Sequence, residues 1–370
     1  MKKLISILLT VTVLVLSCSV LAEANGGGYL LITDFIEVNS GKDVSAEINA
    51  VIEANPNRTI FFPDGEYLIA KPLLTPAHPK KSVSLKLADF AVLRATGEWT
   101  KGEAVVQLGA THPANDTHTP GSNYSFEGGI IDGSGVADGI SINGGRETAV
   151  RQVSMKNVVT GVHILYGANS GSSDADVSEL NIICTGKTDS TGILAEGYDN
   201  TFTNIRIGAA FTGVRLCGGG NKLTSIHPLY QSDYTDYENS CAFLDESGCN
   251  VYDYCYSDQY GIGFRTTNNT PSRYTDCFCF WYSPKGDSHT AFKADQKFNS
   301  IVTTLRADFP DSKNNYLLQV GKIGGSGKLI NPDISPNEIS SKVYKAYAFN
   351  DKPFEVIARI FWKFILLFKI

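Results

Sequence analysis

The chain has 370 residues, 42% hydrophobic and 19% charged, the balance of a folded protein rather than a disordered one. Its 35 glycines, 17 tyrosines and 19 phenylalanines against 2 methionines favour a turn-rich β architecture over a helical one. A net charge of -6 with no cluster of Lys and Arg excludes phosphate-backbone recognition, so no nucleic-acid partner is expected.

Residues 1–24 carry two lysines, an apolar run and then small residues, the layout of an export signal. Cleavage after Ala22 or Ala24 and lipidation of Cys18 are both compatible with it, and the mature protein is expected to be secreted or held at the cell surface. Beyond Cys18 the cysteines are Cys184, Cys217, Cys241, Cys249, Cys255, Cys277 and Cys279, an odd set that cannot all pair within one chain. They read as buried small side chains, and without paired histidines or a second Cys-x-x-Cys they imply no metal; no cofactor is expected either.

From Ile32 to Ile69 the sequence offers Asp43 as a helix N-cap and then Val44, Ile48, Val51 and Ile52 on one face. A turn at Asn55-Pro56-Asn57 and a strand ending in "FFPDGEYLI" follow, so residues of about 30–70 read as a module closing the end of a stacked structure. Further on comes "NYSFEGGIIDGSG", Asn123 to Gly135, in which Asp132 is a turn carboxylate among glycines. Between them "THPANDTHTP" holds His112, Asp116 and His118 but has the Pro and Asn content of a solvated loop. The helix, the "FFPDGEY" strand and the "GGIIDGSG" stretch together resemble the pectate lyase superfamily, which includes rhamnogalacturonase-like and epimerase-like β-helix proteins. The resemblance implies a solenoid fold and a polysaccharide substrate. The catalytic motifs of polygalacturonases and of calcium-dependent pectate lyases are missing, so it transfers no catalytic residue.

Downstream, short runs recur: "DGISI", "TGVHI", "TGILA", "TGVRL", "CAFL", "YGIGF", "TAFK" and "YLL". Anchored at Gly139, Gly161, Gly192, Gly213, Cys241, Gly261, Thr290 and Tyr316, they are separated by roughly 20–30 residues, the period of a solenoid. Within each run the first and third residues after the anchor are apolar, the alternation of a half-buried strand, and no helical pattern separates the runs. The reading is an all-β, right-handed parallel β-helix occupying residues 25–350 as one domain.

In such a helix, outward residues at equivalent positions stack about 4.8 Å apart. The fourth residue after each anchor gives Asn143, Leu165, Glu196, Cys217, Asp245 and Arg265; the second gives Ser141, His163, Leu194, Arg215, Phe243 and Gly263. Glu196 and Asp245, two rungs apart, are the expected general acid and general base of an inverting glycosidase, with Arg215 holding an acidic sugar and Arg265 beside Asp245. Arg206 and His227, on adjacent strands, offer the alternative of β-elimination, His227 as base and Arg206 on a uronate carboxylate. The insertions "GKTDST", "YQSDYTDYENS" and "YSPKGDSH" precede strands of one kind and should emerge along one edge, where Tyr230 and Trp281 could stack on sugar rings.

The tail, residues 351–370, is apolar but broken by Arg359 and Lys363, too short a run to span a membrane; it reads as a cap or an interfacial segment. Membrane association is expected only through that tail or a lipidated Cys18. The functional expectation is an exported enzyme that hydrolyses a uronate-containing, pectin-like polysaccharide. A polysaccharide lyase and a non-catalytic, tailspike-like glycan binder are the alternatives; the tailspike-like one would bring a homotrimer, and the sequence itself leaves the oligomeric state open.

Overall fold

The computed structural model describes residues 28–112, 125–166, 172–231, 236–312, 314–322, 324–334 and 355–357. The leader with Cys18, Asp116 and His118, and most of residues 351–370 lie outside the described residues. Within the last segment, Glu355–Ile357 forms a strand paired in parallel with Lys328–Ile330, where the sequence suggested a cap or interfacial segment.

Strands pair in parallel along the whole solenoid. One face is a ten-stranded sheet running from Leu73–Pro76 through Asp138–Ile142, Thr212–Leu216 and Cys241–Asp245 to Asn314–Val320, in chain order. Apart from a separate pair, Gly145–Arg146 with Ser172–Ser173, the other strands form a 22-stranded sheet folded along a line of residues in the left-handed region. Gln152, Glu179, Asn204, Ser225, Tyr254, Asp276, Thr304 and Asn331 stand at the same corner of successive turns, with φ between 48° and 58°. One bent residue per turn thus splits this sheet into a second and a third face, closing a three-sided coil.

The register of the first face sets what is inside. Ile140, Val162, Ile193, Val214, Phe243, Phe264, Phe292 and Leu318 are mutual neighbours on successive strands, and nearly all are fully buried. In the wider rungs this column becomes aromatic, Phe243 and Phe264 stacking at 4.8 Å with Tyr252 and Tyr274 stacked at 4.4 Å from the second face.

The repeated glycine has a packing cause. An added Cβ on Gly161 would lie 2.6 Å from Ile182 Cγ2, on Gly192 2.4 Å from Ile207 Cγ2, and on Gly213 2.6 Å from Pro228 Cβ, side chains arriving from the third face. Alanine replaces glycine at Ala242 and Ala291, the turns whose facing strands present the small Ser257 and Ala307. At Gly161, Gly192 and Gly213 a side chain would meet both a residue of the third face and, at 2.5 Å, a backbone oxygen of the next turn.

At the turn from the first face to the second, buried amides form a ladder. Asn200 Nδ2 donates to Asn221 Oδ1 (2.9 Å) and Asn221 Nδ2 to Asn250 Oδ1 (3.2 Å), while each Oδ1 also accepts the backbone N–H of the preceding rung's residue at 3.0 Å. These bonds satisfy backbone groups that the turns would leave orphaned.

At the other end, the helix Ser45–Ala54 buries Ile48, Val51 and Ile52, and Asn49 bonds both Pro72 O and Leu74 N. Asp43 does not act as its N-cap; Asp43 Oδ1 accepts from Ser45 N and Ala70 N, tying the helix start to the neighbouring strand.

The insertions before first-face strands do emerge along one edge, but two of them close on each other. Tyr230, Tyr237, Tyr260, Trp281 and His289 pack ring against ring, edge to face or tilted. Burial lowers the His289 imidazole to about 4, although Ser312 Oγ sits 2.9 Å from Nδ1. On the same edge Asp138 is buried, accepting Thr160 N at 2.8 Å, and desolvation raises it to about 6.

Two predictions follow from this packing. Gly213→Ala should cost about 2 kcal/mol in urea unfolding, as overpacking does, whereas Ala242→Gly should cost about 1 kcal/mol or less. As pH falls from 6.5 to 4 the unfolded chain protonates His289 before the folded chain does, which destabilises the fold. As pH falls from 6 to 3.8 the folded chain protonates Asp138 first, which stabilises it by a similar amount, about 3 kcal/mol at most in each case. Relative to the unaltered protein, His289→Gln should gain stability on acidification through this window and Asp138→Asn should lose it.

Candidate functional site

The outward columns of the first face carry the solenoid's most regular arrangement of charge. One column runs Ser141, His163, Leu194, Arg215, Leu244, Arg265, Lys293, Gln319 in register. Two residues further along each strand, in the turns, stand Asn143, Leu165, Glu196, Cys217, Glu246, Thr267 and Asp295. A basic group of the first column meets an acid of the second one rung on. His163 Nε2 lies 3.6 Å from Glu196 Oε2. Arg215 grips Glu246 through Nε–Oε2 (2.9 Å) and Nη2–Oε1 (3.3 Å). Arg265 donates to Asp295 Oδ2 from Nε (2.9 Å) and Nη2 (2.7 Å).

Between the glutamates sits Cys217, whose thiol is 3.2 Å from Glu246 Oε2 and is pushed up to about 12 by desolvation and by that contact, so it donates as a thiol. Glu196 also receives the backbone N–H of Tyr166 at 3.4 Å. Tyr166 and Tyr198 meet edge to face at 4.8 Å and are 46% and 43% exposed, forming an aromatic shelf beside Glu196. The Glu196 and Glu246 side chains are 40% and 29% exposed, open to a ligand lying along the wall.

Several expected site residues lie elsewhere. Asp245 is 1% exposed and stands in the inner column with Leu216 and Thr266, not on the wall. The residue equivalent to the glycine anchors is Ala242, not Cys241, which pairs with Thr212. A slip of one residue turns a strand over, so Asp245 goes inside and Glu246 takes the wall position. There Asp245 accepts from Ser247 N, Gly248 N, Asn250 Nδ2, Ser272 Oγ and Tyr274 OH at 2.6–3.5 Å, terminating the amide ladder. Arg265, anchored at Gly261 instead of Gly263, is displaced by two, which preserves its face; its partner is Asp295 and not Asp245.

Trp281 and Tyr230 are each 2% exposed, Trp281 donating to Tyr260 O at 2.6 Å and stacking on Phe309, so neither can meet a sugar ring. Arg206 and His227 are register neighbours on the third face, away from Glu196 and Arg215. His227 lies flat against Tyr256, centroids 4.1 Å apart, with Nε2 3.6 Å from Asp258 Oδ2.

The anchors Cys241 and Thr290 stand one residue before the register equivalents Ala242 and Ala291, which hides Glu246 and Asp295. The triplet of Thr or Cys, a small residue and an apolar residue, shared by "TGV" and "CAF", would have put Ala242 in line and Glu246 beside Glu196. The two neighbouring acids should separate cleanly on mutation. Asp245→Asn should lower stability by about 3 kcal/mol because it sets an amide donor against fixed donors, and Glu246→Gln by about 1 kcal/mol or less, both read by urea unfolding.

No family model and no curated protein sequence matches the chain. Among solved structures it is similar to a tailspike protein double mutant of E. coli bacteriophage HK620, with 10% identity and TM-score 0.66 over 83% of this chain and 62% of that one. It is also similar to an Acinetobacter phage tailspike (12% identity, TM-score 0.57, 88% of this chain and 67% of that one). A third neighbour is the alginate lyase of a Paenibacillus species (12% identity, TM-score 0.51, 85% of this chain and 97% of that one). The chain thus spans less than two thirds of the length of the HK620 tailspike, and at these identities the likeness is one of fold. The chain is a right-handed parallel β-helix of the pectin-lyase type.

Proposed function

We propose that the first face is the substrate wall of an exported glycoside hydrolase acting on a polysaccharide, with Glu196 and Glu246 as its catalytic carboxyl groups. The observation that carries this reading is their placement: both belong to one outward column, two rungs apart, with Arg215 and Cys217 between them. Two rungs separate the backbones by roughly 10 Å, and flexible glutamate side chains can close that to the ~6.5–9.5 Å used by inverting enzymes, which leave room for a water. Glu246, fixed by a guanidinium and a thiol, suits the base that orients the water. Glu196, outside the hydrogen bonds of the guanidinium, is left as the acid that protonates the leaving oxygen. A glycan lying along the solenoid axis would cross both groups and reach the Tyr166–Tyr198 shelf.

The fold likeness to an alginate lyase and to phage tailspikes supports a polysaccharide as the ligand class. The test is a reducing-end assay on a panel of soluble polysaccharides, with the unsaturated product of an elimination followed by ultraviolet absorbance. Glu196→Gln and Glu246→Gln should each lose at least about 100-fold in kcat while keeping the thermal transition of the unaltered protein. Full activity in both variants would overturn the assignment, and an unsaturated product would replace hydrolysis by elimination.

A further inference from the structure

The charge on the first face is already spent internally. Arg215 is held by Glu246 and Arg265 by Asp295, each through two hydrogen bonds. The remaining basic groups of that column are His163 and Lys293. Burial lowers the His163 imidazole below its ordinary value, so it is neutral near neutral pH despite Glu196 beside it. Glu196, Glu246 and Asp295 are then balanced by Arg215, Arg265 and Lys293, and the wall carries no net charge within a chain of net charge -6.

A polyanion laid on this wall would find one cation, Lys293, without a carboxylate partner among the described residues. To neutralise either arginine it would have to compete with a carboxylate already bound through two hydrogen bonds, and displacing that carboxylate, itself only 29% or 22% exposed, would leave it poorly solvated and unpaired. Hydroxyl groups face no such competition. Each Arg–carboxylate pair offers donors and acceptors side by side, the complement of a vicinal diol. Leu194 and Leu244, between the charged rungs, and the exposed rings of Tyr166 and Tyr198 supply apolar surface for the C–H faces of a pyranose.

We infer that the glycan recognised by the first face is neutral, and not the uronate-containing polymer expected from the sequence. The inference rests on the first face being the substrate wall, and it names the substrate class for that wall.

Binding is to be measured by affinity electrophoresis of the whole protein against soluble glucans, galactans and mannans and against polygalacturonate, each at low and high salt. At least one neutral glycan should bind with an affinity that salt leaves unchanged, and polygalacturonate at least about tenfold more weakly. In Glu246→Gln the freed Arg215 should raise the affinity for polygalacturonate about tenfold at low salt only. Tight, salt-sensitive binding of polygalacturonate by the unaltered protein would overturn the inference while leaving the hydrolase reading intact. Binding of a neutral glycan that is never shortened would support the inference and sink the hydrolase reading. Failure of every neutral glycan to bind, or no gain in Glu246→Gln, would count against the inference.

Discussion

The structure depends on one constraint, the in-register parallel pairing of each turn with the next. Because side chains along a strand alternate between faces, a residue's parity within its turn decides whether it faces core or solvent, and the pairing transmits that parity along the solenoid. Volume is transmitted too. Wherever the third face sends Met155, Ile182, Ile207 or Pro228 across the interior, the first face must answer with glycine at Gly139, Gly161, Gly192 or Gly213. Where the third face sends Ser257 or Ala307, the first face can hold Ala242 or Ala291. The recurrent Thr-Gly of the sequence is the imprint of this fit between walls.

That imprint made the architecture legible without coordinates. A period of two inside each run, a period of roughly one turn between runs and no intervening helical pattern leave few ways to bury the apolar residues. The site was harder to read because it depends on parity within single turns. Anchoring the seventh strand of the first face on Cys241 instead of Ala242 displaced it by one and exchanged Asp245 with Glu246, which have opposite surroundings. Anchoring the next strand on Gly261 displaced it by two, and Arg265 remained on the wall. Glycine marks the register over Gly139, Gly161, Gly192 and Gly213, and at Ala242 the marker is interrupted.

The insertions show a different limit. Their aromatic residues suggested a sugar-binding edge, yet Tyr230 and Trp281 are consumed in packing the loops onto one another with Tyr237, Tyr260 and His289. Long loops carry backbone polar groups and must find their own cover, and large rings provide it. Tyr166 and Tyr198, which remain exposed, come from the opposite edge, where the turns leave the first face. Aromatic content alone therefore could not distinguish a binding shelf from a loop core.

Asp245 and Glu246 show how a single strand end can join a buried carboxylate to one on the wall. Asp245 gathers donors from two backbone amides and from Asn250, Ser272 and Tyr274, fixing the turn that follows. That turn begins at Glu246, so the inner carboxylate holds the backbone on which the outer one stands. Glu246 is then gripped from the preceding rung by Arg215 and Cys217. A carboxyl group held from both the core side and the wall side loses little freedom when a ligand arrives, which is the condition under which positioning contributes to rate. The same two hydrogen bonds engage the Arg215 guanidinium, so the fixed position of Glu246 and the charge balance of the wall have one structural cause.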